Sequence, residues 1–235
     1  MNLFEKKKRL IQDLIRSGYV KNELYIRAFM KVPREKFVWP GYEEEAYIDT
    51  PLPLGNTGQT ISAPHMCLYL LEALEVKVGD VVLEVGAGSG YQAALLAECV
   101  APSDVDRALW GHVYTIEIRS DLAKFARENI AKTGYSDRVT VIQGNGSLGY
   151  PPNDLTERYD KILLTASAPD VPPPLLSQLK KGGILVAPIG KGYFQELIKV
   201  VKLKDGTYKR IFLTTVAFVP LRGMYGWKEH IEEQL

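Results

Sequence analysis

Histidine and cysteine are scarce in this chain, at three and two of 235 residues. Cys67 and Cys99 lack metal-ligand or redox spacing, and both sit in apolar helical patterns. No metal site is expected, and buried free thiols are favoured over a disulfide, which points to a cytoplasmic setting. An excess of one charge is missing too: 29 basic side chains face 28 acidic ones, for a net charge of +1. Nothing in that balance draws the chain to nucleic acid or to an anionic membrane. No apolar run approaches the ~20 residues that span a bilayer, and Met1 to Lys8 lacks the apolar centre of a signal peptide. Internal repeats and low-complexity segments are absent. The remaining composition, 46% hydrophobic and 24% charged, suits a globular protein of one main domain plus an appendage.

Apolar spacing predicts helices over 3–17, ended by Gly18, and over 23–31, stopped by Val32-Pro33. Arg34 to Trp39 continues this appendage until Pro40-Gly41-Tyr42. From Asp49 to Ser62, Pro51, Pro53, Gly55, Asn56 and Gly58 mark a long loop. Loops of that length are functional or disordered, and Leu52, Leu54 and Ile61 favour an ordered one. After a helix over 64–74, strand and helix patterns alternate. Strands are expected at 81–85, 113–117, 139–142, 159–164 and 184–188. Helices are expected from Gln92, over 122–133 and over 174–179, the last closed by Lys181-Gly182-Gly183. This rhythm predicts an α/β fold: a doubly wound Rossmann-like parallel sheet with helices on both faces. Residues 196–204 and 208–216 read as a C-terminal antiparallel hairpin around Asp205-Gly206. The division is 1–75 as helical cap and substrate loop, 76–220 as cofactor domain and 221–235 as tail. Ala101 to Trp110 looks inserted. Leu109 and Trp110 there, or the tail from Met224 to Leu235, either carry contacts of a homo-oligomer or pack on their own domain.

The chemistry concentrates at Val81-Val82-Leu83-Glu84-Val85-Gly86-Ala87-Gly88-Ser89-Gly90-Tyr91. A β-branched run meets glycines spaced two apart before a helix, a cradle where backbone approaches a nucleotide and N–H groups face it. The NAD fingerprint would place its third glycine at position 91, which is Tyr91. This variant, with Glu84 ahead of it, resembles the loop of S-adenosylmethionine (SAM) methyltransferases; a turn without a nucleotide is the alternative. Ligands of such sheets lie at strand carboxyl ends. Cofactor contacts are therefore expected from Glu84, Gly86, Ala87, Gly88, Gly90, Glu117, Ile118, Asn145 and Gly146. Glu117 would accept from both ribose hydroxyls, or be a solvated strand end. Asn145 would meet the adenine amine, or serve only its own turn.

A more specific resemblance runs over nearly the whole chain. Gly58-Gln59-Thr60-Ile61-Ser62-Ala63-Pro64-His65-Met66 is similar to the signature of the protein-L-isoaspartate O-methyltransferases. Tyr159-Asp160, Thr165-Ala166, Ala168-Pro169, Leu179-Lys180-Lys181-Gly182-Gly183 and Phe218-Val219-Pro220-Leu221 agree with it. Asn145 departs from that family's usual Asp, removing a charge but keeping an acceptor oxygen. The resemblance implies methyl transfer from SAM, leaving S-adenosylhomocysteine, to the free α-carboxylate of L-isoaspartyl residues in damaged proteins. The ester then collapses to a succinimide, which opens a route back to aspartate. Substrate contacts would come from Gly58, Gln59, Thr60, Ser62, His65, Val219 and Leu221.

A carboxylate of pKa about 4 is ionised at neutral pH, so the reaction needs alignment and dryness rather than a base. Ser62 would orient the acceptor carboxylate; the competing role is a helix N-cap before Pro64. His65 reads as a packed first-turn histidine and His112 and His230 as surface residues. Arg222 either meets acidic peptide groups or is an exposed loop charge. Backbone around Val219 would pair with an extended peptide. A small-molecule methyltransferase and a nucleotide-binding module without chemistry are the alternatives, and the Gln59–Met66 signature argues against the first.

Overall fold

The computed structural model describes residues 2–192 and 194–228; His230 and the tail beyond Lys228 lie outside them. The cap opens with α1 (Leu3–Arg16) and α2 (Glu23–Lys31). Asn2 and Asn22 begin these helices by accepting from the N–H groups of Glu5 and Leu24, both at 2.9 Å, which satisfies otherwise orphaned donors. The long loop is ordered. Its arms form a small antiparallel pair, β1 (Leu52–Pro53) and β2 (Thr60–Ile61), and Leu52, Leu54 and Ile61 are buried. Helix α3 (Pro64–Leu74) follows.

Seven further strands make one sheet: β3 (Val81–Val85), β4 (His112–Glu117), β5 (Val139–Gln143), β6 (Tyr159–Leu164), β7 (Leu179–Ile189), β8 (Gln195–Lys202) and β9 (Tyr208–Val216). Their order is β5-β4-β3-β6-β7-β8-β9. The first five run parallel, and β8 and β9 add antiparallel at one edge. The chain winds outward from β3 to β5, then returns to start again at β6. Because βαβ crossovers are right-handed, that reversal sends α4 (Tyr91–Val100) and α5 (Ser120–Lys132) to one face and α6 (Pro173–Gln178) to the other. Successive strand residues divide accordingly. Val82 joins a core with Leu95, Leu122 and the cap residues Leu14 and Phe29, whereas Leu83 and Val85 join Leu175 on the opposite side. The reversal also opens a crevice between the carboxyl ends of β3 and β6, where such sheets hold ligands.

One local expectation needs correction, and one alternative left open is answered for Trp110. Lys181-Gly182-Gly183 does not separate α6 from its strand: β7 begins at Leu179 and carries these residues through a register shift opposite Tyr159 to Lys161. A side chain at Gly183 would overlap the Lys180 carbonyl at 2.7 Å, so glycine permits the bulge. In the 101–110 segment Trp110 packs on its own domain. Its Nε1 donates to the carbonyls of Pro102 and Val105, both at 3.0 Å, and its ring lies against Arg107 and Arg138. Leu109 stays exposed. Among the described residues no helix is long and apolar enough to cross a membrane, and no His, Cys, Asp and Glu cluster could hold a metal.

Candidate active site

One hollow lies at the crevice, walled by the ends of β3 and β4, the 86–89 loop, the start of α4, Thr165 and the segments 59–62 and 219–222. Gly86, Gly88 and Gly90 all have positive φ, at +108°, +53° and +85°, a backbone region that favours glycine. Their tasks differ. A side chain at Gly86 would collide with the Thr165 hydroxyl, which donates to the Gly86 carbonyl at 2.6 Å and to that of Val85 at 3.1 Å. Gly88 leaves open space, with only Leu54 at 3.5 Å from an added Cβ. Gly90 starts α4 and packs against Ile130 and Ala126 of α5.

Glu117 is already oriented. Its Oε2 accepts from Gly88 N–H at 2.9 Å and its Oε1 from Arg119 N–H at 3.1 Å. The carboxylate therefore spans from the second strand to the glycine loop. Glu84, one pair of residues before the loop, is fully buried. Its Oε2 accepts from the Thr115 hydroxyl at 2.5 Å, and its Oε1 has no partner. Burial pushes this carboxyl up to about 8, with the neighbouring Glu117 charge adding to the rise.

A second hollow adjoins the first, lined by Pro51, Thr60, Ser62, Ala63, His65, Met66, Ser167, Gln195, residues 215–220 and Trp227. Thr60, Ser62, Thr165, Val219 and Pro220 line both. They form the aperture between them. Ser62 donates no side-chain hydrogen bond among the described residues, and the cap of α3 comes from elsewhere. Ala63 holds the N-cap position without a side-chain bond, while Asp49 Oδ1 accepts from both the N–H and the Nδ1 of His65, each at 2.9 Å. Burial works to raise the Asp49 carboxyl, yet these His65 bonds leave it below its usual range. His65 also stacks on Tyr19, with ring centroids 4.9 Å apart. The wall bearing Val219 is pinned twice. Gln195 Nε2 donates to the Phe218 carbonyl while its Oε1 accepts from Phe218 N–H, at 2.8 and 2.7 Å. Ser167 N–H donates to the Val219 carbonyl, and Leu221 N–H donates to that of Ser167, both at 2.8 Å.

Of the expected cofactor residues, Glu84, Gly86, Ala87, Gly88, Glu117, Ile118 and Gly146 line the first hollow. Gly90 supports it from behind. Asn145 does not reach it: its Oδ1 accepts from the Ser147 N–H and hydroxyl, at 3.1 and 2.7 Å, and its side chain sits under Gly223. Its turn occupies the acceptor expected to meet adenine. Among the substrate residues, Gln59, Thr60, Ser62, His65 and Val219 line one or both hollows. Leu221 faces the cofactor hollow instead of the groove, because its N–H bond to Ser167 folds it inward. Gly58 lines neither; it holds the hairpin tip at φ +72° with open space around it. The sequence reading missed the site roles of Thr165, Gln92 and Gln195. Only Thr165 carried a signal, in its match beside Ala166.

The first hollow fits SAM: an open backbone approach at Gly88, an acceptor at the second strand end, and in its wall a buried Glu84 carboxyl with one oxygen unpartnered. Sheet order, loop and acid together define a SAM-dependent methyltransferase. Comparisons specify the kind. The family model for protein-L-isoaspartate(D-aspartate) O-methyltransferase matches residues 5–226. The protein-L-isoaspartate O-methyltransferase of Hyperthermus butylicus is 54% identical over 96% of this chain and 92% of its own length. That of Staphylothermus marinus is 48% identical over 96% of this chain and 98% of its own. A crystal structure of a Plasmodium falciparum member in complex with S-adenosyl-L-homocysteine superposes with a TM-score of 0.78 at 29% identity, covering 92% of this chain and 97% of that one. The chain belongs to the protein-L-isoaspartate(D-aspartate) O-methyltransferase family, and its activity is SAM-dependent methylation of isoaspartyl residues in protein repair.

Proposed function

We propose that the two hollows are the cofactor and peptide halves of one site, joined at Ser62. The single observation that carries this reading is the uncommitted Ser62 hydroxyl at their shared aperture. Bound SAM supplies an electrophilic methyl on a cationic sulfur. Every other task falls to the chain. Gly86 to Gly88 admit the nucleotide to the backbone, and Glu117 receives the ribose hydroxyls from a position preset by Gly88 and Arg119. Ile118 and Gly146 border the base. In the adjoining groove an extended peptide lies along Ala217 to Val219, held by main-chain contacts that tolerate many sequences. Ser62 donates to the isoaspartyl carboxylate and aims one oxygen through the aperture. No residue need remove a proton, because an ordinary carboxylate is already ionised at neutral pH. Rate comes from alignment and from shielding two opposite charges from water. The methyl ester formed then closes to a succinimide, starting repair.

Transfer of labelled methyl to paired peptides containing L-isoaspartate or L-aspartate tests the substrate. Labelling confined to the L-isoaspartyl peptide is expected, and equal labelling of both would overturn the repair assignment.

A further inference from the structure

Glu84 stands out among the buried groups because no basic side chain pairs with its carboxyl among the described residues. It sits on β3 at 0% exposure, in the wall of the cofactor hollow, with one oxygen bonded to Thr115 and the other buried and unbonded. From β4 it is faced by Thr115 and by the Glu117 carboxylate, whose charge opposes a second anion nearby. From β6 its register partner is Leu163. From α4 come the phenol of Tyr91 and the amide of Gln92, whose Oη and Oε1 are likewise unpartnered, and from α3 the Cys67 thiol. The Arg34 guanidinium lies behind these, 5.0 Å from the Tyr91 ring. No Lys, Arg or His pairs with Glu84 among the described residues. A carboxylate buried without a cation is costly to ionise, and it avoids that cost by holding a proton. A ligand bringing positive charge into the same hollow reverses the balance.

We propose that Glu84 is protonated in the empty enzyme and that binding of cationic SAM expels this proton to solvent. The inference rests on the assignment of the first hollow to SAM. The balance is simple: the Glu84 carboxyl loses one proton to buffer, and its carboxylate would remain in the wall of a hollow holding a ligand of net charge +1, with sulfonium and ammonium groups against one carboxylate. Methyl transfer then removes the sulfonium charge. Product is left against a carboxylate with less to neutralise it, so Glu84 takes a proton back more readily and S-adenosylhomocysteine is released. Cofactor exchange is thereby coupled to the charge that the reaction consumes.

Calorimetric titration of the full chain with SAM, at pH 7 in two buffers of different ionisation enthalpy, measures the protons released. About 0.9 proton per SAM is expected if the group titrates a unit above the working pH, with less released for S-adenosylhomocysteine. Between pH 5.5 and 7.5 the SAM dissociation constant should fall about tenfold per unit of pH. Glu84→Gln keeps the shape, and in this variant both the proton release and the pH slope should vanish. SAM binding with no proton release, or release that persists in Glu84→Gln, overturns the inference while the cofactor site stands. Absence of any SAM binding by wild type overturns the site assignment as well. Should Glu84→Gln fail to fold, the infrared band of a protonated carboxyl in wild type decides: it is expected in the empty enzyme and lost with SAM, and its absence from the empty enzyme overturns the inference.

Discussion

Ser62 and Asp49 separate two jobs that a serine ahead of a helix usually combines. Asp49 caps α3 through His65, so Asp49→Ala should cost about 1 kcal/mol of stability, the usual value of an N-cap, read from denaturant midpoints. Ser62→Ala should leave those midpoints and SAM affinity near wild type while lowering kcat about tenfold to a thousandfold, the range of one aligning hydrogen bond. A fully active Ser62→Ala enzyme would remove the residue from the site. Glu117→Ala removes the acceptor at the second strand and also frees the Gly88 and Arg119 N–H groups that it holds. A hydrogen bond to a charged group contributes ~1.5–3 kcal/mol, so SAM should bind roughly tenfold to a hundredfold more weakly. Isothermal titration on folded protein measures it.

Among the elements, the 101–110 segment ties the cap to the sheet by charge rather than by an apolar seam. Arg27 and Lys31 of α2 reach Asp104 at 3.1 and 3.6 Å, and Lys31 reaches Glu98 of α4 at 3.5 Å. Arg138, just before β5, pairs with the same Glu98 at 3.0 Å and donates to the Ala101 carbonyl. The exposed pairs contribute little singly. The Glu98–Arg138 pair is buried on both sides, and removing Arg138 leaves Glu98 in a poorly solvated place with the longer Lys31 contact at 3.5 Å as its remaining ion pair. Arg138→Met should therefore cost about 3 kcal/mol, whereas Asp104→Asn should cost well under 1 kcal/mol. Chemical denaturation of both variants checks the contrast, and equal small losses would show that Lys31 by itself suffices for Glu98.

For the molecule as a whole, two buried groups give stability opposite slopes with pH. Glu84 is raised to about 8, so in the empty enzyme the native state binds more protons than the unfolded chain from the ordinary glutamate range up to about 8. Stability should fall as pH rises through that window. Lys7 is buried against Val32, Phe29 and Tyr47, and burial lowers it to about 8 despite the opposing charge of Glu35. Between there and its ordinary range the unfolded chain binds more protons, so its contribution rises with pH. Thermal melts from pH 5 to 8 should show a declining Tm that flattens in Glu84→Gln, and Lys7→Met should flatten the climb above pH 8. An unchanged slope in either variant assigns that titration to another group.

Local sequence determined what local physics can specify. Apolar spacing in α1 and α2, apolar β-branched runs in the strands and glycines at the cofactor loop each act within a few neighbours, so their elements were readable directly. The signature from Gln59 to Met66 named the family for the same reason, being contiguous. Tertiary structure alone decided which hydrogen-bonding groups were left over. Whether Ser62 is free depends on Asp49 reaching across from the preceding loop, and whether Asn145 can meet a base depends on Ser147 and Gly223. Thr165 and Gln195 enter the site because β6 ends and the antiparallel β8 begins at that end of the sheet, and Leu221 turns inward through its bond to Ser167. Glu84 acquires its raised proton affinity from burial between strands and helices distant in sequence. Propensity and pattern are sums over neighbours along the chain, whereas burial and unpaired polar atoms are fixed only when remote segments close around them.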